Sequence, residues 1–288
     1  MPDIRALFSR CHIPLDTWIQ AAVNWMILYL RPFFLAVRWP VAKVLDGFES
    51  FLQWLPVWVF LLTLIVLAWR IGSRRIALGA GASFLFIGFL GLWNAAMTTV
   101  AMVATSVLFC VIVGIPLGIA AANSDAVSRM LRPALDAMQT TPTFVYLVPI
   151  VMLFGIGNVP AVLATIIVAL PPMIRLTNLG IRQVQQELVE AAYSFGCTRR
   201  QVLVEIQIPL AMSTIMAGLN QSLMLSLSMV VVAALIGAGG LGLSVYEGIN
   251  RLDVGLAGIA GLAIVLVAIS FDRMTQAIAE KRGTERTH

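Results

Sequence analysis

Seven apolar runs of near-spanning length, broken by short polar or basic connections, constrain this chain more than any other feature. They are Leu55–Trp69, Ile76–Trp93, Ala95–Ala122, Thr143–Ile156, Val159–Ile174, Met212–Gly237 and Val254–Phe271. Inside a hydrocarbon layer ~30 Å thick, every backbone N–H and C=O must find its partner within the protein. A helix of about 20 apolar residues does this. The runs therefore predict an all-α, polytopic membrane protein with about seven spans. Composition agrees: charged residues make up 11% of the chain and hydrophobic ones 60%, whereas a soluble domain carries roughly 25% charged residues.

The basic residues predict an orientation, because cytoplasmic connections collect Lys and Arg. Arg70, Arg74 and Arg75 lie in one break and Arg129 and Arg132 in another. Arg175, Arg182, Arg199 and Arg200 border the longest polar loop, and Arg273, Lys281, Arg282 and Arg286 fill the tail. The alternate connections at Asn94 and at the Gly155–Asn158 turn carry none, and Ser244–Asp253 carries only Arg251. This predicts a C-terminus and a loop 175–211 in the cytoplasm, with the N-terminus outside. Residues 1–54 fit a spanning plan less well. Thr17–Leu30 presents Trp18, Ala21, Ala22, Trp25, Leu28 and Tyr29 as a helical stripe, and Arg31–Pro32 interrupts any span over Ala21–Val37. That pattern predicts an N-terminal interfacial amphipathic helix, followed by a transmembrane domain over 55–274 and a cytoplasmic tail over 275–288. No cleavable signal is expected in this segment.

The loop is not a plain connector. Glu187 to Phe195 has helical composition, and Gly196 can take the positive φ that ends a helix. Thr198 and Gln201 then have capping-box spacing for a second helix, which Pro209 is expected to close. Glu190, Ala191 and Ala192, followed at fixed spacing by Gly196, Ile206, Ile208 and Pro209, resemble the EAA motif of bacterial ABC-importer permeases. The one departure is Ile208 where that pattern has Leu, a conservative apolar exchange. The resemblance covers roughly residues 55–275 and implies a type I ABC importer transmembrane domain. It further implies that Glu190–Pro209 docks into a groove on a separate ATP-binding subunit. Glu190 would supply a charged contact, Ala191 and Ala192 close approach, and Tyr193 and Phe195 apolar anchors. Arg199 and Arg200 would either touch that subunit or sit near anionic headgroups.

The absences narrow the function. No GxxxxGK[ST] occurs, so nucleotide binding by a P-loop falls to a partner. The two histidines, His12 and His288, lie near the termini, and Cys11, Cys110 and Cys197 show no paired or metal-ligand spacing. Catalytic residues, metals and cofactors are not expected on this chain, nor is nucleic-acid binding. ATP with Mg is expected on the ATPase partner. Ion-coupled carriers usually need intramembrane charges, and none falls in the middle of a run here. Candidate path-lining groups are Asn220, Gln221 and Ser226 in the sixth run, Thr105 in the third and Tyr146 in the fourth. Ser and Thr in such places commonly hold helices together instead. Gly237–Gly242 is expected to be a flexible external turn.

Within the permeases, 140–165 (TTPTFVYLVPIVMLFGIGNVPAVLAT), 225–242 (LSLSMVVVAALIGAGGLG) and the segment leading into 31–40 (RPFFLAVRWP) look like the glycine betaine, proline betaine and choline branch. That resemblance implies a quaternary ammonium solute, choline slightly ahead, delivered by a separate binding protein outside the cell. It also implies two copies of this chain around a central path, each docked to one of two ATPase subunits. A permease for another small polar solute, a receptor subunit and a multispan enzyme are the competing readings; for the last, no clustered catalytic site is visible.

Overall fold

In the computed structural model, residues 14–284 are described, and among them the chain is helical throughout, with no strand. Two N-terminal helices, α1 (Leu15–Tyr29) and α2 (Arg31–Trp54), lead into a hairpin of α3 (Val57–Ile71) and α4 (Arg74–Phe89). Next come α5 (Trp93–Asn123), α6 (Asp125–Thr140), a 3₁₀ turn (Thr143–Tyr146), α7 (Leu147–Phe154) and α8 (Asn158–Arg182). The loop helix α9 (Gln186–Ser194) follows, then α10 (Arg199–Gln201), a π-helical segment (Val202–Gln207) and α11 (Ile208–Ala233). The chain ends in α12 (Leu241–Asn250) and α13 (Val254–Thr284).

Four stretches among the described residues are long and apolar enough to cross a bilayer: Trp93–Asn123, Asn158–Arg182, Arg199–Ile236 and Val254–Ala279. At most six crossings result if each sharply bent helix pair is one span, so the count of seven is not reproduced. The Leu55–Trp69 and Ile76–Trp93 runs become α3 and α4, of 15 and 16 residues, each ~22–24 Å long at 1.5 Å per residue. The Thr143–Ile156 run becomes a 3₁₀ turn and the 8-residue α7. Both sharp bends, 107° between α2 and α3 and 105° between α6 and α7, have a local cause. Leu55 and Thr141 precede Pro56 and Pro142, and both are extended, with ψ of 123° and 129°. A residue before proline is pushed out of the helical region, so each helix turns there.

The long α2 therefore lies across the bundle instead of continuing α3. Val41, Leu45 and Leu52 on one face are buried, and Glu49 accepts a 2.9 Å hydrogen bond from Thr98 of α5. Trp18, Trp25, Trp39 and Trp54 remain exposed, as aromatic side chains at a membrane surface do.

The core is organised around α8, which packs on α5 along one side and α11 along the other. Glycines set these contacts. A Cβ on Gly114 or Gly118 of α5 would meet Met173 at 2.8 Å or Thr177 at 2.5 Å. One on Gly180 of α8 would meet Thr214 at 2.9 Å, and one on Gly218 of α11 would meet Leu176 at 3.1 Å. Lipid tails are as apolar as side chains, so close backbone approach at small residues drives such packing. The α11–α13 seam is polar. Asn220 Nδ2 donates to Asp272 Oδ1 at 2.9 Å, Thr275 Oγ1 donates to Asn220 Oδ1 at 2.6 Å, and Gln276 donates to Asp272 at 2.8 Å.

Overpacking at the α5–α8 seam should cost about 1–3 kcal/mol. Gly118→Ala is expected to lower the thermal unfolding midpoint in detergent, whereas Gly47→Ala, where a Cβ meets nothing within 4 Å, should leave it unchanged or raise it.

Candidate functional site

The loop between α8 and α11 folds as an elbow with both hinge devices that its residues suggest. Helix α9 ends at Ser194 with Phe195 as its C-cap, and Gly196 takes φ +82°. The N–H of Gly196 donates to the Tyr193 carbonyl at 2.9 Å and that of Cys197 to the Ala192 carbonyl at 3.1 Å. This paired reverse bonding is the Schellman arrangement, which needs a residue that tolerates positive φ at that one position. Thr198 then caps the second limb. Its Oγ1 accepts from the Gln201 N–H, and its own N–H donates to Gln201 Oε1 at 2.8 Å.

The two limbs fold onto each other, with Ala192 and Val202 buried between them. The outgoing limb shows its other face. Glu190 and Ala191 are exposed, Tyr193 is 47% exposed and Phe195 89%. Ile206, Ile208 and Pro209 lie half-buried on the returning limb. The elbow is a small, internally capped body with an aromatic and a carboxylate pointing outward.

Pro209 does not close the second limb. Arg199 to Ile236 runs as one 38-residue helix, with Pro209 in the first turn of α11. A proline within a helix lacks an N–H and clashes with the carbonyl four residues back, here Glu205. The π-helical turn at Val202–Gln207 widens the helix just where that clash would fall, so the chain passes through. The elbow is thereby joined without a break to a spanning helix ~57 Å long.

The candidate path residues fall in different settings. Asn220 is committed at both ends to the α13 clamp. Gln221 is exposed on the neighbouring face. Thr105 and Ser226 are buried and return their hydroxyl protons to Ala101 and Ser222 of their own helices. The Tyr146 hydroxyl lies within 3.0 Å of the carbonyls of Ala137 and Met138, tying the 3₁₀ turn to the end of α6.

At the opposite end from the elbow, two glycine turns lock each other. Asn158 Oδ1 accepts from the Gly239 N–H at 2.7 Å, Thr99 Oγ1 from the Leu241 N–H at 2.8 Å, and the Ile236 carbonyl from the Gly157 N–H at 3.0 Å. A Cβ at Gly242 would come within 2.2 Å of the Val230 carbonyl oxygen. The Gly237–Gly242 stretch is thus pinned, contrary to the flexible turn expected from its glycines.

On the elbow side, α6 lies beside α8 and two ion pairs join them. Arg175 pairs with Asp136, and Arg182 with Asp125 at 2.7 Å, while Arg182 also donates to the Ala121 carbonyl in the last turn of α5. The hydrogen bond and charge of Arg182 hold the Asp125 carboxyl below its ordinary range. A cleft of about 390 Å³ remains between the helices, lined by Ser128, Arg132, Asn178, Arg182 and the Arg175–Asp136 pair.

Residues 114–283 match the family described as the binding-protein-dependent transport system inner membrane component. The chain belongs to that family. It is 51% identical to the glycine betaine/proline betaine transport system permease protein ProW of Escherichia coli (strain K12), over 97% of this chain and 80% of that one. It is 45% identical to the glycine betaine transport system permease protein OpuAB of Bacillus subtilis (strain 168), over 94% and 96% respectively. Among solved structures, an inward-facing form of the MetNI methionine ABC transporter superposes with a TM-score of 0.59 at 18% identity. That match covers 64% of this chain and 92% of the other, and at such identity it speaks to the fold. The protein is a multi-pass inner-membrane permease of the ABC-importer class and of its betaine branch.

Asp272 is the permease residue that the sequence pattern hid. The last apolar run ends at Phe271, so the carboxylate reads as lying past the span, yet α13 continues to Thr284. Its partners Asn220 and Thr275 lie 52 and 3 residues away, and only the α11–α13 crossing brings all three together.

Gly196→Ala places a Cβ in open space but on a left-handed residue. The expected cost is about 1–2 kcal/mol, confined to the elbow. Amide exchange of the Cys197 and Gly196 N–H groups should accelerate about tenfold, while the global unfolding midpoint stays close to that of the wild type.

Proposed function

We propose that this chain is the membrane-spanning subunit of an ATP-driven importer of quaternary ammonium solutes, with the Glu190–Pro209 elbow as its coupling contact. The observation that carries the coupling half is the elbow itself: an internally capped pair of limbs, exposing Phe195 and Glu190, continuous with a 38-residue spanning helix. A force applied to such a body is delivered to α11 without a flexible joint in between. The partner is a P-loop ATPase, which supplies the nucleotide site and binds ATP with Mg. Two permease copies enclose a central path and two ATPases dock below. Closure of the ATPases on ATP moves the elbows and opens the path outward, and hydrolysis resets it.

In this arrangement the elbow, the basic Arg70–Arg75 turn and the C-terminal tail face the cytoplasm, and the N-terminus lies outside. The pinned glycine turns at 155–158 and 237–240 face the binding protein that delivers solute. Residues 14–54 lie along the outer membrane surface, 55–274 form the transmembrane domain with its loop 175–211, and the tail begins at 275; the parts of these segments at 1–13 and 285–288 lie outside the described residues. Asn220, Gln221, Ser226, Thr105 and Tyr146 border or brace the path, with Asn220 acting through its clamp on α13.

The solute class rests on the relatives, whose names give glycine betaine and proline betaine. Both carry a nitrogen without a hydrogen to donate. The binding protein would select them by cation–π attraction, so the permease needs no fixed carboxylate to hold the cation. Glycine betaine is the first solute to try and choline the second.

Two measurements test this reading. Pull-down of the tagged chain in mild detergent should recover a P-loop ATPase, and Glu190→Lys or Phe195→Ala should weaken recovery by about tenfold, the scale of a docking hot spot. Uptake of labelled glycine betaine should vanish in Glu190→Lys and Gly196→Asp while membrane insertion is retained. Normal uptake in either variant, or an intact chain recovered without any ATPase, would overturn the coupling assignment.

A further inference from the structure

The outer face of the α4–α13 pair carries a groove that none of the transport functions uses. It encloses about 260 Å³ between Ile76, Gly79, Ala80 and Ser83 of α4 and Ile269 and Ser270 of α13, with Arg75 and Arg273 at its mouth. Gly79 forms an open floor, since a Cβ there would meet nothing within 4 Å. The level of the mouth is fixed by its neighbours. A Cβ on Gly72 in the adjoining turn would meet Ala277 of α13 at 3.0 Å, and Arg273 stands ~28 Å along α13 from Val254, about one hydrocarbon thickness. The two guanidinium groups therefore meet at the membrane–water border. The apolar floor runs from there toward the bilayer centre, residues 76, 79, 80 and 83 following one another along one helical face.

Neither Arg75 nor Arg273 has a hydrogen bond or ion pair among the described residues, although nearby Arg74 rests on the Trp69 ring. Two uncompensated cations beside an apolar trough would penalise a purely apolar partner helix, which would bury them unpaired. A soluble anion would satisfy the arginines and gain nothing from the trough. A ligand with an anionic head and an apolar tail meets both demands in the order in which the groove presents them.

We propose that this groove is a binding site for one anionic phospholipid of the cytoplasmic leaflet. Its phosphate is held between Arg75 and Arg273, and an acyl chain lies along Gly79, Ala80 and Ile269. The leaflet assignment rests on the orientation given above; the lipid chemistry does not. By filling the seam, the lipid braces the peripheral hairpin α3–α4 against α13, whose Asp272 clamps the lever helix α11 from the other side.

The test is native mass spectrometry of the full chain in mild detergent, titrated with phosphatidylglycerol or with phosphatidylcholine of the same acyl chains. The wild type should retain one phosphatidylglycerol per chain through detergent washing and retain phosphatidylcholine poorly. Arg75→Gln combined with Arg273→Gln should weaken retention by about tenfold or more. Gly79→Leu, which fills the trough and favours the helix, should do the same with both arginines present. Equal retention in these variants, equal retention of the neutral lipid, or displacement by excess inorganic phosphate would overturn the site. Sidedness is read separately, by impermeant thiol labelling of Ser73→Cys in intact cells with the other cysteines replaced. Protection supports the cytoplasmic leaflet. Labelling from outside would overturn that assignment and leave the lipid result to stand or fall on the titration.

Discussion

Close contact between α8 and its two neighbours is the condition on which the rest of this permease depends. Within a bilayer, helices gain little from hiding apolar surface, because lipid tails offer the same surroundings. What holds α5, α8 and α11 together is proximity at Gly114, Gly118, Gly180 and Gly218, where backbones approach nearer than any side chain would allow. The elbow emerges between the two helices most firmly packed in the molecule. Its second limb continues into α11 without a break, whereas residues 183–185 separate its first limb from α8.

Polar groups in the spans are largely spoken for. Thr105, Thr165, Ser226 and Ser270 return their hydroxyl protons to carbonyls four residues earlier in their own helices. Such groups can sit in a membrane without a partner helix and carry little information about a path. Cross-helix bonds are fewer and more telling. Thr98 to Glu49 fixes the transverse α2, Thr99 and Asn158 pin the glycine turns, and Asn220 joins the lever to α13. The glycine turns hold the end of α11 beyond Ala233, and the Asn220 bond ties its middle to α13.

Much of this was legible in the residues. The elbow hinge at Gly196 and the Thr198–Gln201 cap are short-range devices, decided by the conformations that a few neighbouring residues can reach, and both form as their chemistry predicts. The bends before Pro56 and Pro142 were equally local, yet the apolar runs around them read as spans. Apolar composition measures length in residues, not direction. Pro209 misled for a related reason. Proline strains the turn before it without always ending a helix, and here a π turn relieves the clash. The flexible reading of Gly237–Gly242 failed because glycine permits motion without requiring it.

The sequence alone determined the helical class, the membrane setting, the elbow and the lack of a P-loop, because each follows from hydrocarbon solvation or from contacts within a few residues. Only the tertiary structure decided which apolar runs form long unbroken helices and which are short or sharply bent. It also decided that the second limb of the elbow and α11 are one helix, that Asp272 is clamped by Asn220, and that Arg75 and Arg273 share one groove. These depend on pairs far apart in the chain, where the energy lies in shape and distance between helices, and no local pattern encodes which faces will meet.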